Sequence, residues 1–114
     1  MRKKDSKDRR FRDLCRFLRA EFPPQYSIRV WRTDLRGSHG IANYHNKRFT
    51  IKVQKTDAWT IQFDTILHEW AHCLTWHNAD TKKQDHSVSW ARAFARLYTA
   101  SDKFWKDRKR MGAA

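Results

Sequence analysis

Between Asp8 and Phe22 the apolar residues Phe11, Leu14, Cys15, Leu18 and Phe22 recur at helical spacing, with Arg9, Arg12, Arg16 and Arg19 off that stripe. The pattern predicts an amphipathic helix. Pro23-Pro24 ends it, because the residue before a proline is pushed out of helical geometry. The period then changes to two. Tyr26, Ile28 and Val30 alternate with Ser27, Arg29 and Trp31, and two more strands are predicted at Ile41 to His45 and Arg48 to Gln54, joined by a tight turn at Asn46-Lys47. Phe49, Ile51 and Val53 are the expected buried face of the last strand. Since the second and third strands form a hairpin, the small three-stranded sheet is expected to be antiparallel.

Helical spacing resumes after Thr56 and Asp57, either of which can cap a long helix running to about Asn78. After a polar loop from Ala79 to His86, Ser87 can cap a final helix through about Lys106, with Ala91, Phe94, Leu97 and Tyr98 as its core stripe. The order is helix, three strands, helix, helix, which is an α+β arrangement. The 114 residues contain no Gly/Ser-rich or Pro-rich break and no internal repeat, so residues 1–114 read as one domain.

Charge adds a partner to this picture. Lys and Arg number 25 against 12 Asp and Glu, a formal +13 with a pI near 10.4, which exceeds what solubility requires. The excess gathers in basic tails, 1–10 at the N-terminus and 106–114 at the C-terminus, and nucleic acid is the leading class of partner. No apolar stretch follows the basic start and no long apolar run occurs anywhere, so a cytoplasmic monomer without a membrane partner is expected. Cys15 and Cys73 stand far apart inside apolar helical patterns, as small buried thiols rather than a disulfide.

The chemistry lies in His68-Glu69-Trp70-Ala71-His72 on the long helix. At about 100° per residue His68 and His72 share one face a turn apart, so both imidazoles can reach one zinc ion, while Glu69 stands beside them, placed to take a proton from water. Phe63, Ile66, Leu67, Trp70, Cys73 and Leu74 fall on the opposite arc, and Asp64, Thr65 and Thr75 give the histidine face the polarity of a cleft wall. Catalytic zinc takes a third protein ligand. His77 projects from the apolar arc, His39 sits in a turn, and His45 ends the second strand. His86 is the best choice, at the mouth of the final helix beside Asp85, where a helix N-terminus disfavours the charged imidazole.

These residues carry a resemblance. Gly40-Ile41-Ala42-Asn43-Tyr44 with the strand Phe49-Thr50-Ile51-Lys52-Val53, then Thr65 to Leu74, then Asp85-His86-Ser87-Val88-Ser89-Trp90, resemble the SprT-like (Spartan-type) zinc metallopeptidases, small bacterial and phage members included. The resemblance implies a zincin-like fold, His86 as third ligand with His68 and His72, Zn2+ as cofactor, Glu69 as catalytic base and a peptide or protein substrate. Family members associated with DNA cleave proteins crosslinked to or bound on it, which implies a use for the positive charge. An extended peptide is expected to add to the sheet edge beside the zinc helix, along the Tyr44 to Arg48 hairpin or the neighbouring strand. Ser87 and Ser89 stand where the family has glycine and glutamate, and Tyr44, His45, Tyr98 and Arg92 are candidates for stabilising an oxyanion. The alternative is a basic nucleic-acid-binding module whose zinc only ties helices together. A further alternative is an interaction protein that keeps the fold without activity.

Overall fold

The stripe of Leu14, Cys15 and Leu18 forms the buried side of helix α1 (Ser6–Glu21). The structure is a computed structural model that describes residues 6–76 and 86–110, with residues 6–8 and 110 as backbone alone. Two hydrogen bonds secure the end of α1. The Arg19 guanidinium donates to the Ile28 carbonyl at 3.2 Å, and the Trp70 indole donates to the Phe22 carbonyl at 2.9 Å. Each ties the end of the helix to a residue further along the chain, Ile28 nine positions on and Trp70 48 positions on.

Strands β1 (Ser27–Thr33), β2 (Gly40–Tyr44) and β3 (Arg48–Gln54) form one sheet in the order β1-β3-β2. The hairpin is present: Asn46 and Lys47 have φ of 53° and 61°, and His45 and Arg48 exchange backbone hydrogen bonds of 2.9 and 3.1 Å. Such a two-residue turn needs positive φ at both positions to match the strand twist. The expected antiparallel sheet, however, is a mixed one, because β1 pairs parallel to β3 while β2 pairs antiparallel to it. The cause is burial. Phe49, Ile51 and Val53 are essentially inaccessible, so β3 takes the centre, and residues 34–39 carry the chain from β1 past the end of β3 to the far edge. That crossing spans two strand spacings, about 10 Å, which six residues reach easily.

The helices cover one face of the sheet, where Ile28, Phe49, Ile51 and Val53 meet Leu14, Leu18, Ile66, Leu67, Trp70 and Leu97. Helix α2 (Trp59–Leu74) is shorter at both ends than expected. Ala58 occupies its N-cap without a side-chain bond; the Asp57 carboxylate is 2.7 Å from His39 Nδ1 instead. The fully buried Gln62 holds this junction, its amide donating to the carbonyls of Gln54, Lys55 and Asp57 at 3.2, 3.3 and 3.0 Å. At the other end the chain leaves the helix so that Trp76 can pack on Tyr44 and Phe49. The expected continuation to Asn78, most of the polar loop, His77 and Asp85 lie outside the described residues.

Helix α3 (Val88–Arg110) starts as expected, with Ser87 Oγ accepting from the Trp90 backbone N–H at 3.2 Å. It runs past Lys106, and Arg108 pairs with Asp13 of α1. The parts of the basic ends within residues 6–10 and 106–110 are helical. Its buried stripe is Ala93, Leu97 and Ser101, flanked by the half-buried Trp90, Phe94 and Trp105; Ala91 and Tyr98, expected inside, are exposed. No described helix is long and apolar enough to cross a membrane.

One contact sets how closely α2 approaches β2. A Cβ at Gly40 would overlap Thr65 Cγ2 and stand 3.2 Å from the Lys52 carbonyl oxygen. Gly40→Ala is therefore expected to destabilise the fold by roughly 1–3 kcal/mol in urea unfolding, and Thr65→Ser, which removes that methyl, to recover part of the loss in the double variant.

Candidate metal centre

His68 and His72 stand one turn apart on α2, the first half-buried and the second buried, with ring centroids 4.9 Å apart. His86 reaches them from the residue before the Ser87 cap of α3, its Nε2 3.1 Å from His68 Nε2. One ligand nitrogen from each of the three lies within 4.8 Å of the others. Bonds of about 2.0–2.1 Å in a tetrahedral shell separate nitrogens by about 3.4 Å, so the three can close on one ion with small side-chain adjustments. The donor set also fits. Burial, and then the neighbouring His86, hold the His68 imidazole below its ordinary pKa, which favours the neutral form that binds a metal.

Trp90 backs the cluster. Its ring centroid lies 4.9, 5.5 and 4.5 Å from those of His68, His72 and His86, and its indole N–H donates to the His68 carbonyl at 3.2 Å. Phe94 stacks on Trp90 at 5.2 Å with the planes 7° apart, extending the aromatic support along α3. The third histidine is thereby fixed to α2 through a residue four positions later.

Glu69 lies beside the three nitrogens, its Oε2 4.0 Å from His68 Nε2 and the residue 9% exposed. Burial pushes its carboxyl up to about 7. The carboxyl faces a cleft of about 500 Å³ walled by Asp64, Thr65, His68 and Glu69 of α2, by Phe94 and Tyr98 of α3, and by His39 and Gly40 where β2 begins. The polar wall expected from Asp64 and Thr65 is there. The helix packs by its opposite arc, through Ile66, Leu67, Trp70, Ala71 and Cys73.

A family model, SprT-like family, matches residues 8–110. The chain belongs to the SprT-like family. A search of curated proteins returned no significant match, and a search of solved structures returned none either. The family match extends well beyond the stretch from Gly40 to Trp90 that suggested it, and takes in most of α1 and all of α3. SprT-like proteins are regarded as metallopeptidases, and membership together with the three-histidine cluster points to a metal site in this one.

Of the four candidates for oxyanion stabilisation, Tyr98 alone lines the SprT-like cleft. Tyr44 packs among Tyr26, Phe49 and Trp76; His45 sits in a pocket with Arg29 and Trp31; Arg92 is exposed on α3. His39, expected to be a plain surface histidine, is exposed but stands at the cleft with Asp57. Nothing in its local sequence signals that placement, since it depends on a contact between residues 18 apart. Ser87 and Ser89 also differ in consequence: Ser87 makes the cap of α3, whereas Ser89 is exposed in a first turn that holds no acidic residue.

The raised Glu69 carboxyl gives the metal-free chain a pH signature. Its folded value, about 7, lies above its ordinary 4.5, so the stabilisation from the protonated carboxyl is present below pH 4.5 and is lost as pH rises through 7. His68, lowered, acts oppositely and removes stability as pH falls. In urea unfolding of chelator-treated protein, Glu69→Gln should therefore gain on the wild type by on the order of 2 kcal/mol between pH 4.5 and 8. An identical pH dependence in the two chains would mean that Glu69 is not desolvated by the fold.

Proposed function

We propose that this SprT-like protein is a zinc-dependent endopeptidase, acting on proteins associated with nucleic acid. The observation that carries the reading is one arrangement: three imidazole nitrogens within 4.8 Å of one another, next to a buried carboxyl, with His68 and that carboxyl lining an open cleft. Among the described residues the cluster holds three histidines and no fourth protein ligand, the donor set of a catalytic zinc rather than a closed structural one. His68, His72 and His86 would hold the ion. Bound there, zinc supplies a Lewis acid that polarises a carbonyl and lowers the pKa of water.

The remaining steps belong to this chain's own side chains. Glu69 takes the proton of the attacking water and returns it to the leaving amine, a role its buried carboxyl beside His68 is placed to fill. Substrate alignment falls to β2. It forms one edge of the sheet, and Gly40 at its start stands 3.6 Å, at its notional Cβ, from Glu69 Cγ. An extended peptide added to that edge by backbone hydrogen bonds would lead its scissile bond past Glu69. Phe94 and Tyr98 offer the apolar wall for a substrate side chain. The net charge of +13 supports a polyanion near the substrate.

Two measurements test the reading. Purified wild type is expected to carry close to one zinc per chain by elemental analysis, and His86→Ala to lose it; a wild type without stoichiometric zinc would falsify the site. Glu69→Gln is expected to keep the metal and the fold while peptide cleavage drops by roughly 10²–10⁴-fold, the range of a lost general base. If the wild type binds zinc and nucleic acid but cleaves nothing, the metal only ties α2 to α3.

A further inference from the structure

The sheet has two unlike faces. One is the core; the other, among the described residues, carries no helix and presents Arg29 and Trp31 from β1, Ile41 and Asn43 from β2, and Arg48, Thr50 and Lys52 from β3. Register interleaves them. Arg29 lies opposite Thr50 and Trp31 opposite Lys52, while Asn43 flanks Thr50 from the other side. No Asp or Glu occurs on any of the three strands.

The contrast with the basic ends is informative. There the positive charge is partly answered within the fold, by Lys103 with Asp107 at 2.8 Å, Lys106 with Asp102 at 2.9 Å, and Arg108 with Asp13. On the sheet no ion pair joins Arg29, Arg48 or Lys52 to a carboxylate among the described residues, and register sets Arg29 beside Thr50, Arg48 beside Ser27, and Lys52 between Trp31 and Ile41. A cross-strand arrangement that collects like charge is unfavourable in isolation and becomes favourable when an anion covers it.

The shape is also that of a binding surface. Arg29, Trp31, His45, Asn46, Arg48 and Thr50 surround a concavity of about 280 Å³ at the hairpin end of this face. Trp31 is 48% exposed, the largest aromatic surface left open in the described chain, and the Arg29 guanidinium stands 5.8 Å from its ring centroid. An exposed indole flanked by cations serves a ligand that has both π-faces and negative charge.

We infer that the outer face of the sheet binds single-stranded nucleic acid. A base stacks on Trp31 and the Arg29 plane, Arg48 and Lys52 hold phosphates, and the amides of Asn43 and Asn46 meet base edges. A duplex fits poorly, because its base faces are already stacked and closed to the indole. Because the helices and the cleft lie on the opposite side of the sheet, a bound strand leaves the cleft open. The inference specifies the surface for the polyanion proposed above and is independent of peptide hydrolysis, so either reading can fail alone.

The test is fluorescence anisotropy of labelled oligo(dT) and oligo(U) with the full-length chain, beside hydrolysis of a free peptide and circular dichroism for every variant. Trp31→Ala should weaken binding of the preferred strand by roughly fivefold or more, and Trp31→Phe should restore most of it. Arg48→Ala with Lys52→Ala should lower the slope of log affinity against log salt by about 1.4, two single-strand phosphate contacts. Lys106→Ala with Lys109→Ala should leave affinity unchanged. Whichever strand binds tighter names the natural ligand as DNA or RNA. The inference is overturned if neither strand binds, if the end variant rather than the sheet variants carries the loss, or if duplex DNA or polyglutamate competes as well as the single strand does.

Discussion

Helix α2 has to be dry on one arc and wet on the other, within sixteen residues. Trp70, Ile66 and Leu67 make it the centre of the core, with α1, α3 and the sheet, while His68 and Glu69 on the same turns face a cleft. Packing density leaves little tolerance for such a helix to rotate, since a shift of a few tens of degrees would expose the indole or bury the imidazoles. The Trp70 bond to the Phe22 carbonyl, the Trp90 bond to the His68 carbonyl and the close fit of Thr65 against Gly40 all fix that rotation from different sides.

The electrostatics of the site follow from this placement. Burial raises the Glu69 carboxyl to about 7, and burial with the neighbouring His86 lowers the His68 imidazole, so in the metal-free chain the surroundings disfavour charge on both. An ion reverses that balance, because its own charge favours the ionised carboxylate next to it. The same burial makes the thiols of Cys15 and Cys73 inert: that of Cys15 is pushed up to about 12, and that of Cys73 is raised by burial and by the nearby Glu69. Both are free and buried, each inside its own helix.

The sheet divides the molecule's two tasks. Its β2 edge borders the cleft; its outer face concentrates positive charge that no described carboxylate pairs, around one open indole. Placing β3 in the centre makes this division possible. It is the only strand whose inward residues are all sealed, and its outward residues Arg48, Thr50 and Lys52 lie between those of both neighbours.

Local pattern was enough to read the element order, the strand pair with its Asn46-Lys47 turn, the Ser87 cap, and the one-turn spacing of His68 and His72, because each depends on residues within a few positions of one another. His86 needed the family resemblance as well as its position, since nothing local joins it to α2. Three features lay beyond the sequence for the same reason. The parallel pairing of β1 with β3 follows from which strand wins the centre of the core, a competition over the whole domain rather than a property of the hairpin. The end of α2 at Leu74 and the burial of Ala93 and Ser101 in place of Ala91 and Tyr98 follow from where Trp76 and the α2–α3 contact settle. The arrival of His39 and Tyr98 at the cleft, and the support of Trp90 under the three histidines, join residues distant in the chain. The sequence by itself determined the chemical groups and their local geometry; only tertiary packing decided which of them share a site, because long-range contacts are selected by burial of the whole core at once.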